Sequence, residues 1–252
     1  MEYVVLISAV LIGLSLGLFG SGGAILTLPA LMYLLGYDEK LAVISSLVIV
    51  GCIAFISSIP HWYKGNVSAY HLFYFAIPGL GLSYFGAYVG SNASSWLQLT
   101  IFVLLMVLAA TKILLVQGHD VDPAKTQSPL KLSIAGLIVG FMTGFIGVGG
   151  GFLIVPALLF LAKLDLQRAT ATSLSIISIQ SVLGLVSYHE YSNDVFNQLN
   201  WLHLSVFSGL GVLGSLMGSG IKTRLNPERL TKIFAYFLLV MASFIFADKL
   251  FL

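Results

Sequence analysis

Long apolar segments separated by short polar turns run along nearly the whole chain. They lie at 3–36, 41–60, 69–92, 96–117, 132–163, 168–188, 200–221 and 228–251. Six of these segments are close to the roughly 20 residues that a helix needs to cross a bilayer. The pattern predicts an all-α membrane protein, because the strands of a membrane barrel would alternate apolar and polar positions in short runs.

The first and fifth segments are too long to be simple crossings. About 33 residues at 1.5 Å each would form a rod of about 50 Å, against a hydrocarbon core of about 30 Å. A glycine cluster interrupts each segment, as GLFGSGGAILTLP at 17–29 and GFIGVGGGFLIVP at 144–156. Because each glycine lowers helix propensity by about 1 kcal/mol, we predict two hairpins of shorter helices with glycines at their tips.

The two glycine clusters align at a spacing of 127 residues, which indicates an internal duplication. The register continues downstream through the aligned pairs Asp38 and Asp165, Ala42 and Ala169, and Ser46 and Ser173. We therefore predict a first transmembrane repeat at 1–116, a polar cytoplasmic linker at 117–131 and a second repeat at 132–252. Each repeat is predicted to hold one glycine-broken hairpin and three transmembrane helices.

The placement of Lys and Arg favours hairpins that return to their side of entry. If every segment crossed once, the twelve cationic residues would divide five against seven. With returning hairpins they divide two against ten, which is the asymmetry of the positive-inside rule. This topology places both termini outside and makes the two repeats inverted, as in many secondary transporters.

Composition sets the class of protein and its surroundings. Hydrophobic residues make up 58% of the chain and charged residues 9%, whereas soluble domains carry about 25% charged residues. The expected partners are the lipid bilayer and a small substrate, and the scattered cations exclude a nucleic-acid surface. The single cysteine, Cys52, lies in an apolar run and is predicted to be a core thiol. The sequence predicts no oligomeric state.

The hairpin tips are the candidate binding site. Where the second helix of each hairpin begins, free N–H groups and the positive end of the helix dipole favour an anion, and glycine lets the anion approach. Two such N-termini converging from opposite sides would bind a small anion without a buried cation. The alternative is that the glycines only permit a tight turn and close packing. The candidates are Gly20, Ser21, Gly22, Gly23, Gly147, Gly149, Gly150 and Gly151.

Hydroxyl groups near the start of the next helix could complete this site. Ser45 and Ser46 align with Thr172 and Ser173, and their hydroxyls can donate to oxyanion oxygens. The competing interpretation is that these side chains bond the preceding turn of their own helix. Two GxxxG motifs are predicted to let helices pack closely, and they are Gly86 with Gly90 and Gly214 with Gly218.

Three further polar residues are candidates for gating or proton coupling, and they are His61, His189 and Gln180. Imidazole titrates near neutral pH, and a polar group deep in a span is usually functional or interhelical. Anchoring at the membrane interface is the simpler interpretation for the histidines. The sequence has no nucleophile–base pattern, no metal-ligand spacing and no phosphate-loop lysine, so we expect no enzyme, no metal and no cofactor.

The duplicated motif resembles the sulfite exporter family TauE/SafE. The resemblance rests on GLFGSGG at 17–23 and GFIGVGGG at 144–151, each followed by Pro-Ala-Leu, and on the two-repeat plan of the whole chain. It implies a permease of the bacterial or archaeal cytoplasmic membrane that exports sulfite, sulfoacetate or other organosulfonates. The tips differ where Ser21 aligns with Val148 and Ala24 with Gly151, so they need not bind equally.

The function predicted from these observations is secondary transport. The chain is expected to export small sulfur-containing anions across the cytoplasmic membrane by alternating access. Two alternatives stay open at this point, namely an anion-selective channel and a non-transporting membrane scaffold or sensor.

Overall fold

The described residues form a bundle of helices. A computed structural model describes residues 2–91, 93–115, 127–146, 151–191, 198–222 and 224–251. The helices are α1 (Glu2–Phe19), α2 (Gly22–Leu35), α3 (Glu39–Tyr63), α4 (Ala69–His71), α5 (Ile77–Ser91), α6 (Ser95–Leu115), α7 (Pro129–Ile146), α8 (Gly151–Phe160), α9 (Leu166–Tyr191), α10 (Trp201–Lys222) and α11 (Pro227–Phe251). A π-helical segment, Leu72–Ala76, joins α4 directly to α5.

Seven helical spans in the described ranges are long and apolar enough to cross a membrane. They are α3, the continuous α4–α5 rod, α6, α7, α9, α10 and α11. The helices α2 and α8, with 14 and 10 residues, rise only about 21 and 15 Å and cannot cross a core of about 30 Å. The prediction of an all-α membrane fold is confirmed.

The first hairpin breaks where its glycines lie. Helix α1 ends at Phe19 and α2 begins at Gly22, and Gly20 has a φ of 73° that a side chain would disfavour. Helix α2 then returns along α1, since Ser8 of α1 and Tyr33 of α2 line one cavity. The fifth apolar segment likewise divides into α7 and α8, which contact each other, and its tip at 147–150 lies outside the described residues.

Close backbone contacts join each hairpin to a helix of the other half. A Cβ at Gly17 of α1 would overlap the backbone of Ser215 in α10, and a Cβ at Gly144 of α7 would overlap that of Ser83 in α5. The GxxxG glycines lie in the same two contacts, so their predicted packing role is confirmed. In both pairs the helices run parallel, because later residues of one helix face later residues of the other.

Helices α3 and α9 pair with each other and run antiparallel. Gly51 faces Ser181, and Leu47, which lies earlier in α3, faces Gly184, which lies later in α9. They are the most buried of the seven spans. Helix α6 packs on α11. In the duplication, α1, α3, α5 and α6 are equivalent to α7, α9, α10 and α11. Exchanging the halves therefore converts the α1–α10 pair into the α7–α5 pair and leaves the α3–α9 and α6–α11 pairs unchanged.

The outer surface of the bundle is apolar. Large side chains such as Phe55, Phe73, Leu108 and Val240 are more than half exposed, which would be an aggregation liability in water and is favourable in lipid. Cys52 also lies on this surface. The expectation of a core thiol was wrong, because an apolar membrane helix turns part of its apolar surface toward lipid.

Candidate functional site

The starts of the two short helices meet inside the bundle. A Cβ placed on Gly151, the first residue of α8, would lie 3.5 Å from the Cβ of Ala24 in the first turn of α2. Each helix start leaves backbone N–H groups without partners in its own helix. Two partial positive charges therefore adjoin in the interior of the bundle.

Unpartnered hydroxyl groups surround the start of α2. Ser15 and Ser21 are 6% and 0% exposed, and neither Oγ has a hydrogen-bond partner. Ser21 is the N-cap residue of α2 but makes no capping bond, and the Oγ of Ser15 lies against Gly22. Because an unpaired buried polar group costs about 1–3 kcal/mol, these two hydroxyls have hydrogen-bonding capacity that a polar ligand could satisfy.

Of the two hydroxyl groups predicted on α9, one bonds the first tip and the other bonds the chain just before α4. The Oγ of Ser173 donates to the carbonyl oxygens of Gly20 at 2.9 Å and Thr170 at 2.8 Å. The Oγ1 of Thr172 accepts a hydrogen bond from the backbone N–H of Ser68 at 3.1 Å. Both side chains are therefore engaged within the protein, and their role toward a ligand stays a prediction.

The aligned hydroxyl groups on α3 lie elsewhere. Ser45 is fully buried with an unpartnered Oγ, and Ser46 donates to the carbonyl oxygen of Val43 at 2.7 Å. Since Leu47 faces Gly184 and the helices are antiparallel, Ser45 lies opposite about residue 186 and is separated from Thr172 by about 21 Å along the helix axis. The structure does not bring the two hydroxyl pairs together.

A cation that the sequence did not single out lies beside the first tip. The Nζ of Lys222, at the end of α10, donates to the Oγ1 of Thr170 and, at 3.3 Å, to the carbonyl oxygen of Leu166. Thr170 in turn packs against Gly20, where an added Cβ would lie 2.8 Å from the Cα and Cβ of Thr170. In the sequence, Lys222 lies at a helix end and looks like an ordinary loop charge. Only the packing of α10 on α1 shows that Lys222 is a neighbour of the first tip.

A neutral side chain ties three helices together near the end of α7. The Nε2 of Gln98 donates to the carbonyl oxygens of Gly90 at 2.7 Å and Phe145 at 2.8 Å. It ties α6 to the end of both α5 and α7. No motif in the sequence marks Gln98, because its acceptors are backbone groups of distant helices.

The candidates for gating occupy different places. His61 is half-buried with an unpartnered Nδ1, and it lies within electrostatic reach of Lys222 and Lys64. Gln180 is half-buried on α9 beside Ser181. His189 also lies on α9, but its side chain is outside the described part of the chain, as are the predicted site residues Gly147, Gly149 and Gly150.

One cavity of about 380 Å³ lies between α1, α2 and α11. Its lining is almost wholly apolar, including Leu11, Leu26, Pro29 and Phe244. An anion would gain nothing there, since a charge in an apolar cavity loses its hydration without compensation. The polar groups around the α2 start remain the better candidate.

A family comparison decides the class of protein. The family described as "Sulfite exporter TauE/SafE" matches residues 5–245. The chain belongs to this family. The resemblance found in the glycine motifs is thereby confirmed, and the TauE/SafE protein is a multi-pass membrane transporter for a small substrate.

Relatives of this TauE/SafE chain come from both bacteria and archaea. A protein of Xylella fastidiosa (strain Temecula1) is 30% identical, covering 93% of this chain and 91% of its own. A protein of Methanocaldococcus jannaschii is 27% identical over the same shares, and YunE of Bacillus subtilis is 26% identical over 100% of both chains. Each is named a probable membrane transporter protein. No solved structure matches the chain.

Proposed function

We propose that this chain is a secondary transporter that exports small sulfur-containing anions such as sulfite, sulfoacetate or other organosulfonates. The observation that carries the proposal is the meeting of the α2 and α8 starts beside the unpartnered hydroxyls of Ser15 and Ser21. Helix starts and hydroxyl donors suit the oxygens of a sulfite or sulfonate group. The family name, sulfite exporter, supports the same class of substrate.

The architecture that we propose is a pair of inverted repeats at 1–116 and 132–252, joined by a cytoplasmic linker at 117–131. The antiparallel pairing of α3 with α9 supports it, because these helices are equivalent in the duplication. The inverted-repeat architecture is also supported by the helix pairs, because exchanging the two halves of the chain gives the same set of pairs. The proposed location is the cytoplasmic membrane with both termini outside, as the distribution of Lys and Arg favours.

Alternating access is the mechanism that we propose. In it, the α1–α2 hairpin moves with α10, and the α7–α8 hairpin moves with α5, about the central α3–α9 pair. The backbone contacts at Gly17 and Gly144 support units of this composition, since helices in such contact cannot slide independently. With a negative cytoplasm, outward movement of an anion is favoured by about 2.3 kcal/mol per charge per 100 mV. Export therefore needs no coupling ion.

The first experiment combines binding and flux. Thermal unfolding of the purified protein would be measured with sulfite, sulfate, thiosulfate, sulfoacetate, taurine and a carboxylate that contains no sulfur. We expect stabilisation by one or two sulfur anions and saturable flux of the same anions from proteoliposomes. Flux that rises linearly with concentration would indicate a channel instead. A folded protein that responds to no anion would contradict the proposal and favour a scaffold or sensor.

A further inference from the structure

We propose that Lys222 and the first hairpin tip form an anion-capture site that takes the sulfonate or sulfite group of the substrate at one mouth of the pathway. We call it the Lys222 site, and its members are Lys222, Thr170, Ser21 and Gly22. The inference rests on the proposed function and makes the two hairpins unequal. It assigns the recognition of negative charge to one residue of α10.

The geometry of α1 and α10 brings Lys222 to the tip. The two helices run parallel, with Gly17 facing Ser215 and Gly218 facing Leu14 and Leu18. Lys222 follows Gly218 by about one helical turn and so reaches the level at which α1 has ended. Thr170 is the shared neighbour, because it accepts from the Nζ of Lys222 and packs against Gly20.

The local charge is positive. The ammonium group carries one full charge, and the start of α2 adds about half a charge. The carboxylate that interacts with Lys222 is Asp165, and its Oδ2 also lies 3.8 Å from the Nε of Arg168. Partial burial strengthens these interactions relative to water, so an anion at the tip would be attracted.

A purely structural role for Lys222 would be to tie the end of α10 to α9. Near the second hairpin, however, the neutral amide of Gln98 ties α6 to α5 and α7 through two backbone carbonyls. The tie itself therefore needs no charge. The ammonium group has three N–H donors, of which the bonds to Thr170 and Leu166 use two. The third can be directed to a ligand, and the residue aligned with Lys222 in the first half is the uncharged Ser94.

The experiment compares Lys222→Gln, Lys222→Arg and Lys232→Gln. Lys232 is an exposed cation on α11 and serves as the matched control. Dissociation constants for methanesulfonate and sulfoacetate would be obtained from anion-dependent thermal stabilisation, together with the unfolding temperature without anion. We expect Lys222→Gln to weaken both anions about 10- to 100-fold, as the loss of a charged hydrogen bond predicts. Lys232→Gln should stay within about threefold of the unmodified protein, and Lys222→Arg, which keeps the charge on a different side chain, should bind both anions more tightly than Lys222→Gln.

The outcomes separate this inference from the proposed function. If the unmodified protein binds the sulfonates and Lys222→Gln binds them equally well, the Lys222 site is wrong while the proposed function stands. A lowered unfolding temperature with unchanged dissociation constants would assign Lys222 to the structural tie alone. If the unmodified protein binds neither sulfonate, the proposed function and the Lys222 site are both overturned. Should Lys222→Gln fail to fold, the ratio of affinities between Lys222→Arg and Lys222→Met decides the matter in the same way.

Discussion

The two hairpins of this TauE/SafE protein share their packing and differ in their chemistry. In both, the entering helix carries a glycine whose Cα touches the backbone of a helix from the other half, Gly17 on α10 and Gly144 on α5. The polar side chains around the first hairpin are Ser15, Ser21, Ser215 and Lys222. The residues aligned with them at the second hairpin are, in the same order, Met142, Val148, Ala87 and Ser94. Close packing thus restrains the sequence of both hairpins, whereas the polar groups that could bind an anion lie mainly at the first hairpin among these aligned positions.

The largest expected effect tests the shared packing. Gly17→Ala and Gly144→Ala should each lower the free energy of unfolding by about 3 kcal/mol, because the new methyl group overlaps a facing backbone that cannot move aside. The measurement is thermal or denaturant unfolding in detergent. If one substitution were harmless and the other severe, the hairpins would not be mechanically equivalent.

Two other glycines provide the control for that test. Gly81 and Gly209 are aligned in the duplication, lie in α5 and α10, and have no neighbouring atom within 4 Å of an added Cβ. Alanine at either position should leave stability unchanged or raise it by up to about 1 kcal/mol, the difference in helix propensity. A loss of stability there would mean that helix glycines matter for a reason other than close packing.

The next largest effect tests the difference in chemistry. Ser21→Ala should weaken binding of the transported anion by about 10- to 100-fold, since a hydrogen bond to a charged group contributes about 1.5–3 kcal/mol. Without anion the variant should be no less stable, because its unpartnered hydroxyl has been removed. Ser205→Ala is the control, as that hydroxyl already donates to the carbonyl oxygen of Trp201 on an exposed face. Equal anion affinity in Ser21→Ala and Ser205→Ala would show that Ser21 does not contribute to the binding site.

A smaller effect separates two aligned serines. Ser173→Ala should lower stability by about 1 kcal/mol, because it leaves the carbonyl oxygen of Gly20 without its donor. Ser46→Ala should change stability less, since Ser46 bonds only Val43 in its own helix. Hydrogen exchange of peptides covering 17–24 should rise in Ser173→Ala alone. Equal exchange in the two variants would show that Ser173 does not hold the tip.

The smallest expected effect concerns the hydrogen bonds that Gln98 makes between helices. Gln98→Ala should reduce stability by about 0.5–1 kcal/mol through the loss of bonds to Gly90 and Phe145. Anion affinity should stay unchanged, in contrast to Lys222→Gln. A comparable loss of affinity in both variants would mean that each tie acts through the position of its helices and that the charge of Lys222 is incidental.

The arrangement of helices followed closely from the sequence. Apolar length set the spans, and the glycine clusters placed the break at the residues between Phe19 and Gly22. This worked because lipid requires every backbone group to be satisfied within a helix, so apolar segments have few alternatives. The exposure of Cys52 was missed for a related reason, since in a membrane apolar residues are expected both inside and outside the bundle.

The candidate site followed only in part. The start of α2 was predicted from the glycines, whereas Ser15, Lys222 and Gln98 were not. These residues matter through contacts between helices far apart in the chain, which local pattern does not report. Ser45 and Thr172 show the converse, because their equivalence in the duplication suggested a common site and the antiparallel pairing of α3 with α9 separates them.

The parallel contact of α1 with α10 has a consequence for biosynthesis. The glycine stripe of α1 finds its partner only after roughly 200 residues have been made, which takes about 10 to 40 s at the usual rate of synthesis. During that interval the first hairpin sits in the membrane with its closest packing surface unfilled. We therefore expect that a chain cut between α6 and α7 would assemble only if both pieces were produced together.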